Sequence, residues 1–186
     1  MSPQTKQIIR EWVETIVIAL ALAMIVRTFV VAAFKIPTGS MKPTLLEGDK
    51  IFVNKFIYRF KPVERGDVIV FKYPEDPKKD YVKRLVGLSG ETIEIKEGRI
   101  YIDDKEIDTP SIKNVYYRNS GDYGEKDIKT KVPQDCFFVL GDNSANSRDS
   151  RYWGFVPEDR VVGKAWLIWF SWEKGPRWNR LFRFVK

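Results

Sequence analysis

The sequence predicts a mainly β body behind one N-terminal transmembrane helix. Three observations predict it: an apolar stretch from Thr15 to Phe34, period-two alternation in most segments beyond residue 45, and a hairpin pattern between Ile93 and Ile102. At 186 residues the chain is long enough for one domain with a core plus an anchor, and too short for two large domains.

The anchor comes first. From Thr15 to Phe34, TIVIALALAMIVRTFVVAAF, only Thr15, Arg27 and Thr28 are polar, and a helix of that length spans roughly 30 Å, one bilayer crossing. Arg27 lies toward the C-terminal end, where its long stem carries the charge to the interface. A cleavable secretory signal is the rival reading: Lys6 and Arg10 precede the apolar core Ile16–Val26, and Ala32 and Ala33 follow it. Glu11 and Glu14 interrupt the positive leader and disfavour that reading. Charge does not settle the orientation, because Lys6 and Arg10 stand before the segment while Lys35, Lys42, Lys50 and Lys55 stand after it.

The β pattern follows. DKIFVNKFIYRF, GDVIVFKYP, YVKRLVGL, ETIEIKEGRIYIDDKEI, DCFFVLGDN and RVVGKAWLIWF all read as strands. In the hairpin, Ile93, Ile95, Ile100 and Ile102 fall on one face and Gly98 supplies the turn. Residues 109–131 are polar and weakly periodic, and read as a mobile excursion from the sheet. The C-terminal WLIWFSWEKGPRWNRLFRFVK mixes aromatic with basic residues. It reads either as a closing strand with a solvated tail or as a surface that touches the bilayer interface.

Composition excludes several classes of function. The net charge is +7, but Lys and Arg are dispersed and no nucleic-acid motif accompanies them, so no nucleic-acid partner is expected; anionic lipid would answer to the same charge. Cys136 is the only cysteine, so there is no internal disulfide, and it reads as a small buried hydrophobe. Histidine is absent altogether. A Ser-His-Asp triad, a Cys-His dyad and nearly every catalytic zinc site are thereby excluded, and neither metal nor cofactor is expected.

Directly behind the apolar stretch stands PTGSMKPTL, in which Gly39 frees the backbone before Ser40 while Pro37 and Pro43 stiffen both sides. Such loops are mostly plain turns, but this one would also suit a serine hydroxyl held at a fixed angle. Without histidine, a serine nucleophile needs a carboxylate or a lysine as base, and a lysine serves only if burial lowers its pKa. Lys83 in DYVKRLVGLSG is a candidate, with Tyr81 and Leu85 on its own strand face; strand lysines are more often solvent-facing. A third element, GDNSANSRDSRYWGFVP, reads either as a long turn held by Asp and Asn side chains or as a brace in which Asp142, Ser147, Asp149 and Arg151 support the other two.

Taken together and in order, PTGSMKPTL, RGDVIVF, KRLVGLSGE and GDNSANSRDSRYWGFVP behind a hydrophobic segment resemble the signature boxes of bacterial type I signal peptidase. The resemblance runs from about Phe34 to Lys164. It implies a compact antiparallel, barrel-like catalytic domain and a serine endopeptidase that removes signal peptides from exported preproteins after an Ala-X-Ala-like site. Ser40 would be the nucleophile and Lys83 the general base, where eukaryotic and archaeal relatives carry histidine. The Thr38 hydroxyl and the Ser40 N–H would form the oxyanion hole. Ser147 would orient the lysine, with Asp142, Asp149, Arg151 and Arg84 around it. Phe34, Ile36, Met41, Leu45, Tyr81 and Val82 would line the pockets for small side chains. Residues 1–34 would form a cytoplasmic tip and single anchor, and residues 35–186 a monomeric catalytic body on the extracytoplasmic face of the bacterial cytoplasmic membrane. Ser144 and Ala145 stand where many relatives carry Arg and Asp, so no salt bridge is carried over to them. A self-cleaving Ser-Lys protease and a non-catalytic membrane-tethered β-domain that binds a partner are the alternatives.

Overall fold

The computed structural model describes residues 3–25 and 30–186. It opens with helix α1 (Pro3–Ile25), whose described side chains are exposed, among them Ile16, Val17, Ile18, Leu20, Leu22 and Met24. No described helix is long and apolar enough to cross a membrane. The first half of α1 carries Arg10, Glu11 and Glu14, so its apolar part begins only at Thr15. The expected single helix from Thr15 to Phe34 is divided: α1 ends at Ile25, Arg27 and Thr28 lie outside the described residues, and Val31–Lys35 forms strand β1. Apolar content alone does not distinguish a helix from a strand, and here β1 pairs antiparallel with β2 (Asp49–Asn54) from Val31↔Asn54 to Lys35↔Lys50.

The remaining strands are β3 (Val68–Lys72), β4 (Asp80–Gly87), β5 (Thr92–Lys96), β6 (Arg99–Ile102), β7 (Lys105–Glu106), β8 (Thr130–Lys131), β9 (Cys136–Leu140), β10 (Val156–Pro157), β11 (Val161–Ser171) and β12 (Arg183–Phe184). The body is therefore mainly β, as its period-two patterning predicts. One sheet runs β1-β2-β11-β3-β4-β9-β10, with β12 on β11, and a smaller sheet runs β7-β6-β5-β8. All pairings are antiparallel. The strand reading of DKIFVNKFIYRF holds only to Asn54; its side-chain oxygen then accepts from Phe56 N and Ile57 N and opens a 3-10 turn at Ile57–Arg59.

Alternation along β3 shows how the core is divided. Val68 and Val70 pack with Ile36, Met41, Leu45, Ile51 and Val53, whereas Ile69 and Phe71 pack with Leu85, Phe137 and Val139. A third cluster gathers Ile93, Ile95, Ile100 and Ile102 against Phe138 and Leu140. The predicted hairpin is present, with Ile93↔Ile102 and Ile95↔Ile100 in register and Gly98 at φ 79° in its turn. Residues 109–131 hold a short helix, α2 (Pro110–Lys113), and contribute Ile112 and Tyr117 to that same cluster. Cys136 is a half-buried free thiol packed at its edge.

Candidate active site

Ser40 stands in the connection between β1 and β2, whereas Lys83 stands on β4; in the sheet, β11 and β3 lie between β2 and β4. Only a curled sheet can bring them together, and Lys83 Nζ donates to Ser40 Oγ at 2.8 Å. Ser40 is held by a compact turn: Lys42 N donates to Gly39 O at 3.2 Å and Leu45 N to Met41 O at 2.9 Å. Ile36, Met41 and Leu45 sink into the core on either side of Ser40 and so anchor that turn.

Lys83 is 4% exposed. Its Nζ also donates to the Val82 carbonyl at 3.0 Å and lies 5.6 Å from the centre of the Tyr81 ring. Burial disfavours its charged form and pushes the pKa from 10.5 down to about 8, although Asp149 and Asp142 pull the other way. The amine is thus still mostly charged at pH 7 but gives up its proton at a far lower pH than an ordinary lysine.

The loop after β9 forms the floor. Asp142 takes a bidentate pair from Arg84, Nε to Oδ1 at 2.7 Å and Nη2 to Oδ2 at 2.6 Å, and accepts from the Thr44 hydroxyl at 2.5 Å. Asp149 accepts from Arg151 Nε at 2.8 Å, from Arg151 Nη2 at 2.9 Å and from Gly141 N at 2.9 Å. Arg151 also reaches Ser144 Oγ and the carbonyls of Arg118 and Ser147. These four charges are buried and paired, which is how a low-dielectric site keeps them without a large penalty.

The expected placements hold unevenly. Thr38 Oγ1 lies 3.4 Å from Ser40 Oγ, on the exposed side of the turn. Ser147 is buried beside Gly141, yet its Oγ has no hydrogen-bond partner among the described residues, so it makes no bond to Lys83. Phe34, Ile36, Met41, Tyr81 and Val82 line a cleft of about 780 Å³ that also contains Ser40, Lys83 and Ser147. Leu45 does not; it is fully buried beneath the cleft in the core.

Three residues to which the sequence assigned no role join the site. Asn143 binds the Ser40 turn twice, through its N to Ser40 O and its Nδ2 to Gly39 O, both at 3.0 Å. Thr44 links that turn to Asp142. Ser144 accepts from Arg118 N and from Arg151, both at 2.8 Å, so this position serves through its hydroxyl. The only signal for them in the sequence is the density of small polar residues in the two loops. No group of His, Cys, Asp or Glu among the described residues could hold a metal ion.

The family described as "Signal peptidase, peptidase S26" matches residues 9–172. Signal peptidase I of Pseudomonas aeruginosa is 36% identical over 90% of this chain and 74% of its own. Signal peptidase I of Bacillus amyloliquefaciens is 38% identical over 86% of this chain and 84% of its own. Among solved structures, a signal peptidase I from Enterococcus faecalis V583 is similar at 32% identity and a TM-score of 0.46, covering 56% of this chain and 97% of that one.

Proposed function

The chain belongs to the signal peptidase family, peptidase S26, and on that premise we propose that it removes N-terminal signal peptides from exported preproteins, with Ser40 as nucleophile and Lys83 as general base. The observation that carries this reading is the buried 2.8 Å contact between Lys83 Nζ and Ser40 Oγ.

In the neutral amine the same contact reverses, and the serine hydroxyl donates to the nitrogen lone pair. Ser40 Oγ attacks the scissile carbonyl carbon while its proton passes to Lys83 Nζ. The oxyanion is held by the Ser40 N–H and the Thr38 hydroxyl. As the C–N bond breaks, Lys83 delivers its proton to the leaving amine; water, deprotonated in turn by Lys83, then hydrolyses the ester and frees Ser40. Asp142, Asp149, Arg151 and Arg84 position the dyad without touching the reacting atoms, and the Ser147 hydroxyl, buried beside Gly141, turns to Lys83 as the amine changes charge.

The apolar walls from Phe34, Ile36, Met41, Tyr81 and Val82 suit small apolar side chains, in keeping with an Ala-X-Ala-like site. An extended substrate would add main-chain hydrogen bonds along neighbouring strand edges. The segment before β1 tethers the body, which begins with β1, to the extracytoplasmic face of the bacterial cytoplasmic membrane. The exposed apolar side chains of α1 and the exposed Trp166, Trp172, Trp178 and Phe182 support contact with lipid. The body works as a monomer.

The test is cleavage of a defined preprotein in detergent by the intact chain, by Ser40→Ala and by Lys83→Ala. Both variants should be inactive while remaining folded; undiminished cleavage by either one overturns the dyad.

A further inference from the structure

A third buried ion pair lies away from the cleft. Asp49 is fully buried and Arg180 nearly so. Arg180 Nη2 donates to Asp49 Oδ2 at 2.5 Å and its Nε to Oδ1 at 3.1 Å. Asp49 also accepts from Ser171 Oγ at 2.6 Å and from Leu46 N at 2.8 Å. Arg180 lies beyond residues 9–172, the part of the chain that the family matches.

The pair does more than tie the C-terminal segment to β2. The same Arg180 Nη2 donates to the carbonyl of Thr44 at 2.9 Å. From its other side Thr44 donates to Asp142, and Asn143, the next residue, holds the Ser40 and Gly39 carbonyls. Thr44 is thus the point at which two buried ion pairs, Arg84–Asp142 and Arg180–Asp49, close on the far end of the Ser40 turn.

We propose that Arg180 is a positioning residue, which fixes the Ser40 turn through the Thr44 carbonyl and so keeps Ser40 Oγ within reach of Lys83 Nζ. The inference rests on the reading of Ser40 and Lys83 as a dyad. A guanidinium suits the role because its rigid fork serves a carboxylate and a carbonyl at once, whereas a lysine ammonium is a compact point charge on a flexible stem without that fixed geometry.

The experiment compares the intact chain with Arg180→Met, Arg180→Lys and Ser40→Ala, following cleavage of a defined preprotein in detergent and amide hydrogen exchange. Arg180→Lys keeps a buried charge opposite Asp49 and carries the comparison if Arg180→Met does not fold. The expected result for folded Arg180→Lys is a kcat lowered by about tenfold or more with KM nearly unchanged, since small misplacements of reacting groups cost rate steeply. Exchange should quicken at residues 40–46, with the acid limb of the pH–rate profile keeping its midpoint. Parental kcat per folded molecule, with unchanged exchange at residues 40–46, overturns the inference and leaves only a structural pair. Ser40→Ala separates the two levels: cleavage by that variant overturns the dyad itself, whereas its inactivity beside a fully active Arg180→Lys overturns only the role of Arg180.

Discussion

Replacing Lys83 by Met should inactivate the protein and yet stabilise it at neutral pH. In the folded state the Lys83 pKa lies near 8 instead of 10.5 because burial disfavours its charge. The unfolded chain therefore binds more protons between those values, and stability rises with pH across that window. At pH 7 the buried charge costs roughly 3 kcal/mol, the equivalent of the shift at about 1.4 kcal/mol per unit. Methionine, similar in length and uncharged, relieves that cost but leaves Ser40 Oγ and the Val82 carbonyl without their donor, a loss of about 1 kcal/mol for each bond. The net effect at pH 7 is a gain of about 1 kcal/mol, worth a few degrees in Tm for a chain of this size. Near pH 10 most of the cost has vanished in the parent, and the variant should be the less stable of the two by about 1 kcal/mol. Urea unfolding of both proteins in the same detergent at the two pH values measures the change of sign. A difference in stability that stays constant with pH would refute the assignment of a buried, pKa-lowered lysine.

Gly141→Ala should lower kcat by about tenfold to a hundredfold, because a Cβ there would overlap Ser147 Oγ and the Ser40 carbonyl oxygen and push the proposed nucleophile, Ser40, out of line; steady-state kinetics on a defined preprotein reads it. Thr38→Val removes the second proposed oxyanion donor and should lower kcat by about a hundredfold with little change in KM; a parental kcat would remove Thr38 from the oxyanion hole.

Much of the fold was legible because its signals are local. The four isoleucines of the hairpin declare its face and register, whereas Val68–Phe71 of β3, apolar without a break, sends alternate side chains to two core clusters. Ser40 and Lys83 were legible from the order of the signature motifs, and they meet. What was hidden is long-range. Val31–Phe34 is apolar enough to continue a helix, and only its ladder to β2 makes it a strand. Thr44 and Asn143 look like ordinary turn residues until the curl of the sheet sets the two loops against each other. Arg180 sits in a segment whose aromatic and basic composition points to a surface, yet Asp49, far away in sequence, draws it inside. Leu45 belongs to the motif that carries Ser40 but faces the core, since a tight turn at Ser40 sends neighbouring side chains to opposite sides.

The proposal that Lys83 takes the proton of Ser40 turns on a lysine pKa lowered to about 8. Its most direct test is to titrate the Lys83 side chain by NMR, with the Lys83→Met variant fixing the assignment, and to record kcat/KM over the same pH range. The Lys83 titration and the rising limb of activity should share one midpoint near pH 8. Titration near 10.5, the ordinary value for lysine, or activity that stays flat through that region, would contradict it.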